Sequence, residues 1–253
     1  MTELRMWIAQ RSGMLLAIAL FILMFGIYIG NHPAGLTVNV ATTAANKGVL
    51  LALFGVLHGT TGEVRIDGKP VAIGGPSVAK RADIGMALIP EDRKTEGLML
   101  PMSVRDNLSF AALGMLSRWG IVDRAAERSA VERIVRTLAV RTDGTDLPAG
   151  SLSGGNQQKL VIGKWLMISP RILLLNDPTR GIDVGTKQEM YLLLRDLADA
   201  GAAILFYSTD YDELIGCCDR VLVMYDGAIR RELAGDEITE RALIGSALNL
   251  AAA

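Results

Sequence analysis

The sequence predicts an α/β domain built on a mostly parallel sheet and preceded by an apolar helix. Three observations predict it. Beyond residue 60, short β-rich apolar runs alternate with helical stretches, as α/β architecture requires. The run Ile172-Leu173-Leu174-Leu175 is unbroken by polar residues, as a strand covered on both faces must be, and it ends in Asn176-Asp177-Pro178. Met14 to Ile29 is a run of apolar and glycine residues without a charge. As a helix it spans roughly 24 Å, against a bilayer core of about 30 Å.

Each later element has a local reason. Val64 and Ile66 alternate with polar residues before Asp67-Gly68, which reads as a strand and turn. Ile84 to Ile89 is a strand stopped by Pro90. Ser103 caps a helix from Val104 to Leu113, and Asp123 caps one from Arg124 to Leu138. A helix opens at Gly154 behind Ser153 and ends near Met167, before Pro170. After the strand 172–175 come a helix Val184–Ala198, a strand Ala202–Tyr207 and a short helix near Asp212. A strand Arg220–Met224, a turn at Asp226-Gly227, a strand Ala228–Leu233 and a helix Glu240–Leu248 behind Thr239 complete the chain.

The chain has 253 residues, enough for one large domain or two small ones. Its net charge of −1 lacks the basic footprint of a nucleic-acid binder, and aromatics at 5% leave little for base stacking. The adjacent Cys217 and Cys218 form no disulfide framework, which fits a reducing compartment.

Chemistry concentrates in two places. Ser153 followed by Gly154 and Gly155 at a helix start leaves backbone N–H groups and the positive helix pole open to a phosphate. An ordinary N-cap with glycines for close packing is the plainer reading. Asn176 and Asp177 end a buried strand, where α/β proteins hold a hard cation and an attacking water. A phosphate-cradling loop would read G-x-x-x-x-G-K-[ST]. The only Gly-Lys pairs, Gly68-Lys69 and Gly163-Lys164, are followed by Pro70 and Trp165, and Glu63 and Gln158 stand where the first glycine belongs.

Three motifs together carry a family resemblance: Leu152-Ser153-Gly154-Gly155-Asn156-Gln157-Gln158-Lys159, the strand with its Asn176-Asp177-Pro178-Thr179-Arg180-Gly181-Ile182-Asp183 ending, and Pro90-Glu91-Asp92-Arg93-Lys94 before Glu96-Gly97-Leu98. They resemble the ATP-binding cassette (ABC) ATPases, in particular the C-terminal cassette of two-cassette carbohydrate importers. The resemblance runs from about Ala52 to Leu248. Residues 1–51 look like the beginning of a sugar ABC permease, so the expected organisation is a membrane-helix segment 1–51 and a cassette 52–253 without its P-loop.

The resemblance implies that two cassettes dimerise head to tail. Ser153, Gly154, Gly155 and Asn156 would then cover the γ-phosphate of ATP held by the P-loop of a partner cassette. Asn176 stands where the family has an aspartate that supports Mg2+, and Asp177 where it has a glutamate that positions water. Glu91 lies near a glutamine that relays to the permease, and Asp183 belongs to the D-loop at the interface. The family's histidine after the next strand is replaced within Tyr207-Ser208-Thr209-Asp210-Tyr211. The expected protein is thus a degenerate cassette using ATP and Mg2+. Its implied partners are an intact cassette, a sugar permease and, indirectly, a periplasmic sugar-binding protein, with no nucleic acid. Its implied place is the inner membrane, cassette on the cytoplasmic face.

Other readings stand beside these. Asp183 also fits the N-cap of the following helix, and Glu91 a charged surface loop. Met14 to Ile29 also fits a signal-peptide core or a buried helix. Arg5 and Arg11 favour a cytoplasmic N-terminus, which after one span would put the cassette outside. Either residues 36–57 cross back, or the first segment does not insert, or the chain is a gene-fusion or deletion product that does not transport; a membrane-anchored regulatory module is a separate reading. A DNA-repair ATPase would need long coiled coils before Ser153, and the stretch from Glu91 holds no sustained heptads.

Overall fold

A computed structural model of the chain describes residues 27–29, 37–41, 45–59, 62–225 and 228–248. In chain order the elements are β1 (Ile27–Ile29), β2 (Thr37–Ala41), α1 (Ala45–Leu53), β3 (Val64–Ile66), β4 (Lys69–Val71), α2 (Pro76–Ala79), β5 (Met86–Ile89) and a π turn Arg93–Gly97. Next come α3 (Val104–Ser109), α4 (Leu113–Leu116), β6 (Ser117–Arg118), β7 (Ile121–Val122), α5 (Arg124–Thr137) and α6 (Gly154–Leu166). The last part comprises β8 (Ile172–Asn176), α7 (Val184–Asp199), β9 (Ala203–Tyr207), α8 (Tyr211–Cys217), β10 (Arg220–Tyr225), β11 (Ala228–Ala234) and α9 (Glu240–Ala247).

The main sheet has six strands in the order β11-β10-β2-β9-β8-β5. All pairs are parallel except β10 with β11. The apolar run 172–175 is β8, and all its residues are buried between β5 and β9. Its side chains alternate between two cores. Leu173 and Leu175 join Leu108, Leu160, Met190, Phe206 and Leu214 on one face. Ile172 and Leu174 join Val49, Leu53, Phe54, Ile66 and Met86 on the other. The edge strand β11 keeps Arg230, Arg231 and Glu232 exposed, which discourages pairing with another chain. A smaller sheet pairs β3 with β1 in parallel and with β4 through the Asp67-Gly68 turn.

Most elements expected from the sequence appear within a residue or two of their expected ends. The caps expected of Ser103, Asp123, Ser153, Asp183 and Thr239 each accept a backbone N–H from the following turn. The helix expected to run to Leu113 instead ends at Ser109, tightens to a 3-10 turn at Phe110–Ala112 and resumes as α4.

The N-terminal expectations find no support. The membrane helix expected from Met14 to Ile29 mostly lies outside the described residues, but its last three residues form β1 and pair with β3. Among the described residues no helix is long and apolar enough to cross a membrane. The boundary expected between residues 51 and 52 falls inside α1, whose Val49, Leu50, Ala52 and Leu53 are buried in the cassette core. β2 lies within the main sheet, between β9 and β10. The stretch from Thr37 therefore shares one fold with the residues after it, and a permease-like fragment there is not supported. Thr37-Val38-Asn39-Val40 is only a short run and is interrupted by a polar residue. Its place comes from pairing on both sides, which its own hydropathy does not announce.

The cassette's helices meet at Gly163. A Cβ there would lie 2.8 Å from Ile134 Cγ2 and Leu108 Cδ2 and 2.9 Å from Leu138 Cδ1. Replacing glycine in a helix gains about 1 kcal/mol of propensity, whereas overfilling a packed core costs about 1–3 kcal/mol. Three methyl groups of α3, α5 and the residue after α5 must move at once, so the steric cost wins. Gly163→Ala is expected to lose about 1 kcal/mol, read as a lowered denaturant midpoint at unchanged slope.

Candidate functional site

Parallel register brings the strand ends level. Ile89 pairs with Leu175, Leu175 with Phe206 and Asn176 with Tyr207. Glu91, Asp177 and Thr209 therefore emerge along one edge, the carboxyl ends of the strands, where open α/β sheets place ligands. The Asp177 backbone N–H donates to Tyr207 O at 2.8 Å, and Asp177 sits at φ +47°, which aspartate tolerates better than most residues. Asp177 is 4% exposed, and its carboxylate accepts from Thr209 Oγ1 at 2.9 Å. Burial pushes the Asp177 carboxyl above its ordinary range, Thr209 pulls it back, and the charges of Glu213 and Glu91 push it further up. Glu91 forms an ion pair with Arg180, three residues past Asp177.

Beneath this edge lies Glu213 of α8, also buried. It accepts from Thr179, Lys187, Tyr191 and Ser208. Hydrogen bonding to Glu213 holds the Lys187 ammonium above its usual range, and burial raises the Tyr191 phenol. The sequence reading missed this cluster. Its donors come from the turn after β8, the end of β9 and α7, so no local spacing joins them.

The second group forms at the start of α6. Ser153 is exposed and caps the helix, accepting from the Asn156 backbone N–H at 3.4 Å and from Asn156 Nδ2 at 2.9 Å. Asn156 Oδ1 in turn accepts from the Arg141 backbone N–H at 2.8 Å. Gly155 is glycine for a steric reason: a Cβ would stand 2.5 Å from Thr186 Oγ1. Thr186 is held by Asp183, whose Oδ1 accepts from the Thr186 backbone N–H at 2.9 Å and whose Oδ2 accepts from Thr186 Oγ1 at 2.8 Å. These bonds hold the exposed Asp183 carboxyl below its usual range. Asp183 is thus a helix cap, and its turn lies against the first turn of α6. The Arg93 guanidinium covers Gly154 and donates to the carbonyls of Arg180 and Gly181 at 3.3 and 3.5 Å. The expected charged loop 90–94 is in part the π turn, and it bridges the two groups.

A further position escaped the sequence reading. β2 ends at Ala41 and α1 starts at Ala45. Ala41, Asn46, Lys47 and Gly48 therefore stand at the spacing of G-x-x-x-x-G-K-[ST], between a central parallel strand and a helix start. The lysine is present, and both glycines and the hydroxyl residue are replaced. Searching for Gly-Lys pairs could not find it; strand-to-lysine spacing could.

The donors suit a hard cation weakly. Asn176 Oδ1 is buried with no hydrogen-bond partner among the described residues, one residue before Asp177. No group of three or more His, Cys, Asp or Glu among the described residues could hold a metal ion. One carboxylate and one amide oxygen fit Mg2+ that draws its other ligands from phosphates and water.

These features, a parallel sheet with acid-bearing strand ends and a glycine-opened helix beside them, fit an ATP-binding cassette. The fold is similar to a nucleotide-free ATP-binding cassette from an ABC transporter, with a TM-score of 0.70 at 20% identity over 85% of this chain and 86% of that one. It is similar also to cbiO1 from Clostridium perfringens, part of the ABC transporter complex cbiONQ, with a TM-score of 0.69 over 91% and 93%. The ABC transporter family model matches residues 47–180, and the chain belongs to that family.

Among curated proteins it is 68% identical to the ribose import ATP-binding protein RbsA 1 of Mesorhizobium japonicum, over 87% of this chain and 44% of that protein. It is 69% identical to the protein of the same name from Rhizobium johnstonii, over 80% and 40%. The chain spans less than half the length of these relatives. The first match covers more of the chain than residues 52–253 can supply, so likeness to an importer ATPase extends into the segment expected to resemble a permease.

A carboxyl raised in the folded chain favours its proton, so ionising it costs stability. For Asp177 that cost is absent below its ordinary value of 3.8 and grows as pH rises through the folded value. Asp177→Asn is expected to melt above the parent at pH 7, with the difference vanishing as pH falls below about 4. Thermal melts of both proteins between pH 3 and 8 check it.

Proposed function

We propose that the chain is an ATP-binding part of a sugar importer, with ribose the sugar that its relatives' names carry, and that it acts mainly by completing a partner's ATP site. The observation that carries this reading is the outward edge formed by Ser153 and Asp183. Both are exposed, Val184 beside them is 72% exposed, and the contact of Gly155 with Thr186 holds the two turns together. A preorganised helix start of this kind can cover the terminal phosphates of a nucleotide held elsewhere. Glu91, tied to Arg180, would relay to the permease.

The chain's own site is read as weak. In the sequence Ala41 and Asn46 stand where the phosphate-cradling pattern has glycine, although Lys47 stands where it has lysine. Asn176 and Asp177 would hold Mg2+ together with the triphosphate. Mg2+ supplies charge neutralisation of the phosphates. The Asn176 amide brings no negative charge to it, and Asp177 orients water with a side chain one methylene shorter than glutamate. The partners are an intact cassette, a sugar permease and a periplasmic sugar-binding protein, and the place is the cytoplasmic face of the inner membrane. The membrane-anchored reading rests on Met14 to Ile29, of which residues 14–26 lie outside the described residues and Ile27–Ile29 form β1.

Photo-crosslinking with an ATP analogue tests this. The chain alone should label weakly; with a partner cassette bearing an intact P-loop, label should appear on Ser153–Asn156. Ser153→Arg should lower ATP turnover by the pair on the order of a hundredfold, with its circular dichroism unchanged. ATP turnover by the chain alone that matches the pair and ignores Ser153→Arg would refute the reading.

A further inference from the structure

Glu213 lies outside every position that the family resemblance assigned. It is 3% exposed and carries a full set of hydrogen bonds. Oε1 accepts from Thr179 Oγ1 at 2.5 Å, Lys187 Nζ at 2.7 Å and Tyr191 OH at 2.9 Å, and Oε2 accepts from Ser208 Oγ at 2.6 Å. Four donors use about the four lone-pair directions that a carboxylate offers. A charge taken out of water is tolerated only when it is bonded this way, and its net worth for stability is small. Geometry is then the stronger reason for the group to be there.

The four donors come from three separate segments, and each leads to a functional position. Thr179 is two residues past Asp177. Ser208 precedes Thr209, whose hydroxyl holds the Asp177 carboxylate. Lys187 and Tyr191 project from the first two turns of α7, whose cap is Asp183; the Lys187 backbone N–H donates to Asp183 O at 3.0 Å. Thr186, next to Lys187, is the residue against which Gly155 packs.

We propose that Glu213 is a positioning residue that locks the Asp177 turn to the start of α7, and through it to the edge offered to a partner. It acts through the side chains it bonds, Thr179, Lys187, Tyr191 and Ser208. It sets where Asp177 and Asp183 stand relative to each other, so a shift in one is felt by the other. The functional half of this inference rests on the reading under Proposed function.

Two features soften the loss of Glu213. Lys187 Nζ also bonds Asp210 Oδ2 at 3.1 Å, so removing Glu213 leaves the ammonium with a carboxylate partner. Glu213→Gln keeps an oxygen for Thr179 and Tyr191, and the Ser208 hydroxyl can turn to accept from the new amide.

Two measurements test the proposal. Hydrogen exchange on the full chain without nucleotide should show Glu213→Ala raising exchange about tenfold or more across residues 177–187, with the amides of β8 unchanged. In the cassette pair, kcat for ATP should fall on the order of ten- to a hundredfold at nearly constant KM, and Glu213→Gln should recover most of it. Parental exchange in Glu213→Ala overturns the proposal. So does a rise spread evenly over the chain, which marks a merely structural group, and so does a Gln variant as impaired as Ala. If exchange rises locally but the parent pair turns over no ATP, the lock stands and the importer reading falls.

Discussion

Parallel register is the constraint that organises this structure. A parallel sheet makes every strand enter at one edge and leave at the other, so the residues just beyond β5, β8 and β9 gather at a single rim. The pairings of Ile89 with Leu175 and of Leu175 with Phe206 set Glu91, Asp177 and Thr209 side by side. A slip of one residue would turn Leu173 and Leu175 to the wrong core and carry the carboxylates away from each other. Packing therefore protects the rim: both faces of β8 are buried, so the register has no low-cost alternative.

The rim concentrates negative charge with few cations to answer it. Glu91 is paired with Arg180, and Glu213 and Asp210 share Lys187. Asp177 is left with a hydroxyl as its hydrogen-bond donor, in a buried place beside two like charges. Such a group binds a proton or a cation more readily than an exposed carboxylate, since either removes the cost of a buried charge. The Asn176 amide oxygen is likewise buried without a hydrogen-bond donor among the described residues.

The outward edge differs in kind. It gains its order from close backbone approach and from caps, with little buried charge. Gly155 against Thr186, Asp183 on the start of α7 and Arg93 over Gly154 hold two turns in one place while Ser153 remains exposed. An edge that is ordered yet uncovered suits contact with a second molecule, because little conformational freedom remains to be lost on docking. The segment 41–48 keeps the lysine of the phosphate-cradling pattern and replaces its glycines.

Much of this was legible in sequence, and the reason is locality. Caps such as Ser153 and Asp183 act within one turn, and the unbroken apolar run of β8 announces burial on both faces. The motifs around residues 152–159 and 172–183 pointed to the family that the comparisons show. The N-terminal part was hard to read for the same reason in reverse. β2 is short and carries Asn39, and its membership of the sheet comes from β9 and β10, far along the chain. The apolar run before it drew a membrane reading, and the break was placed inside α1. Element types, helix caps and the chemical identity of the strand-end residues could thus be read directly, since each depends on neighbours within a few positions. Strand pairing and helix packing were needed to show that Lys47 lies beyond a central strand at P-loop spacing, that Arg93 reaches the carbonyls after Asp177, and that four distant donors converge on Glu213. Those are long-range meetings, and no periodicity of a single segment encodes them.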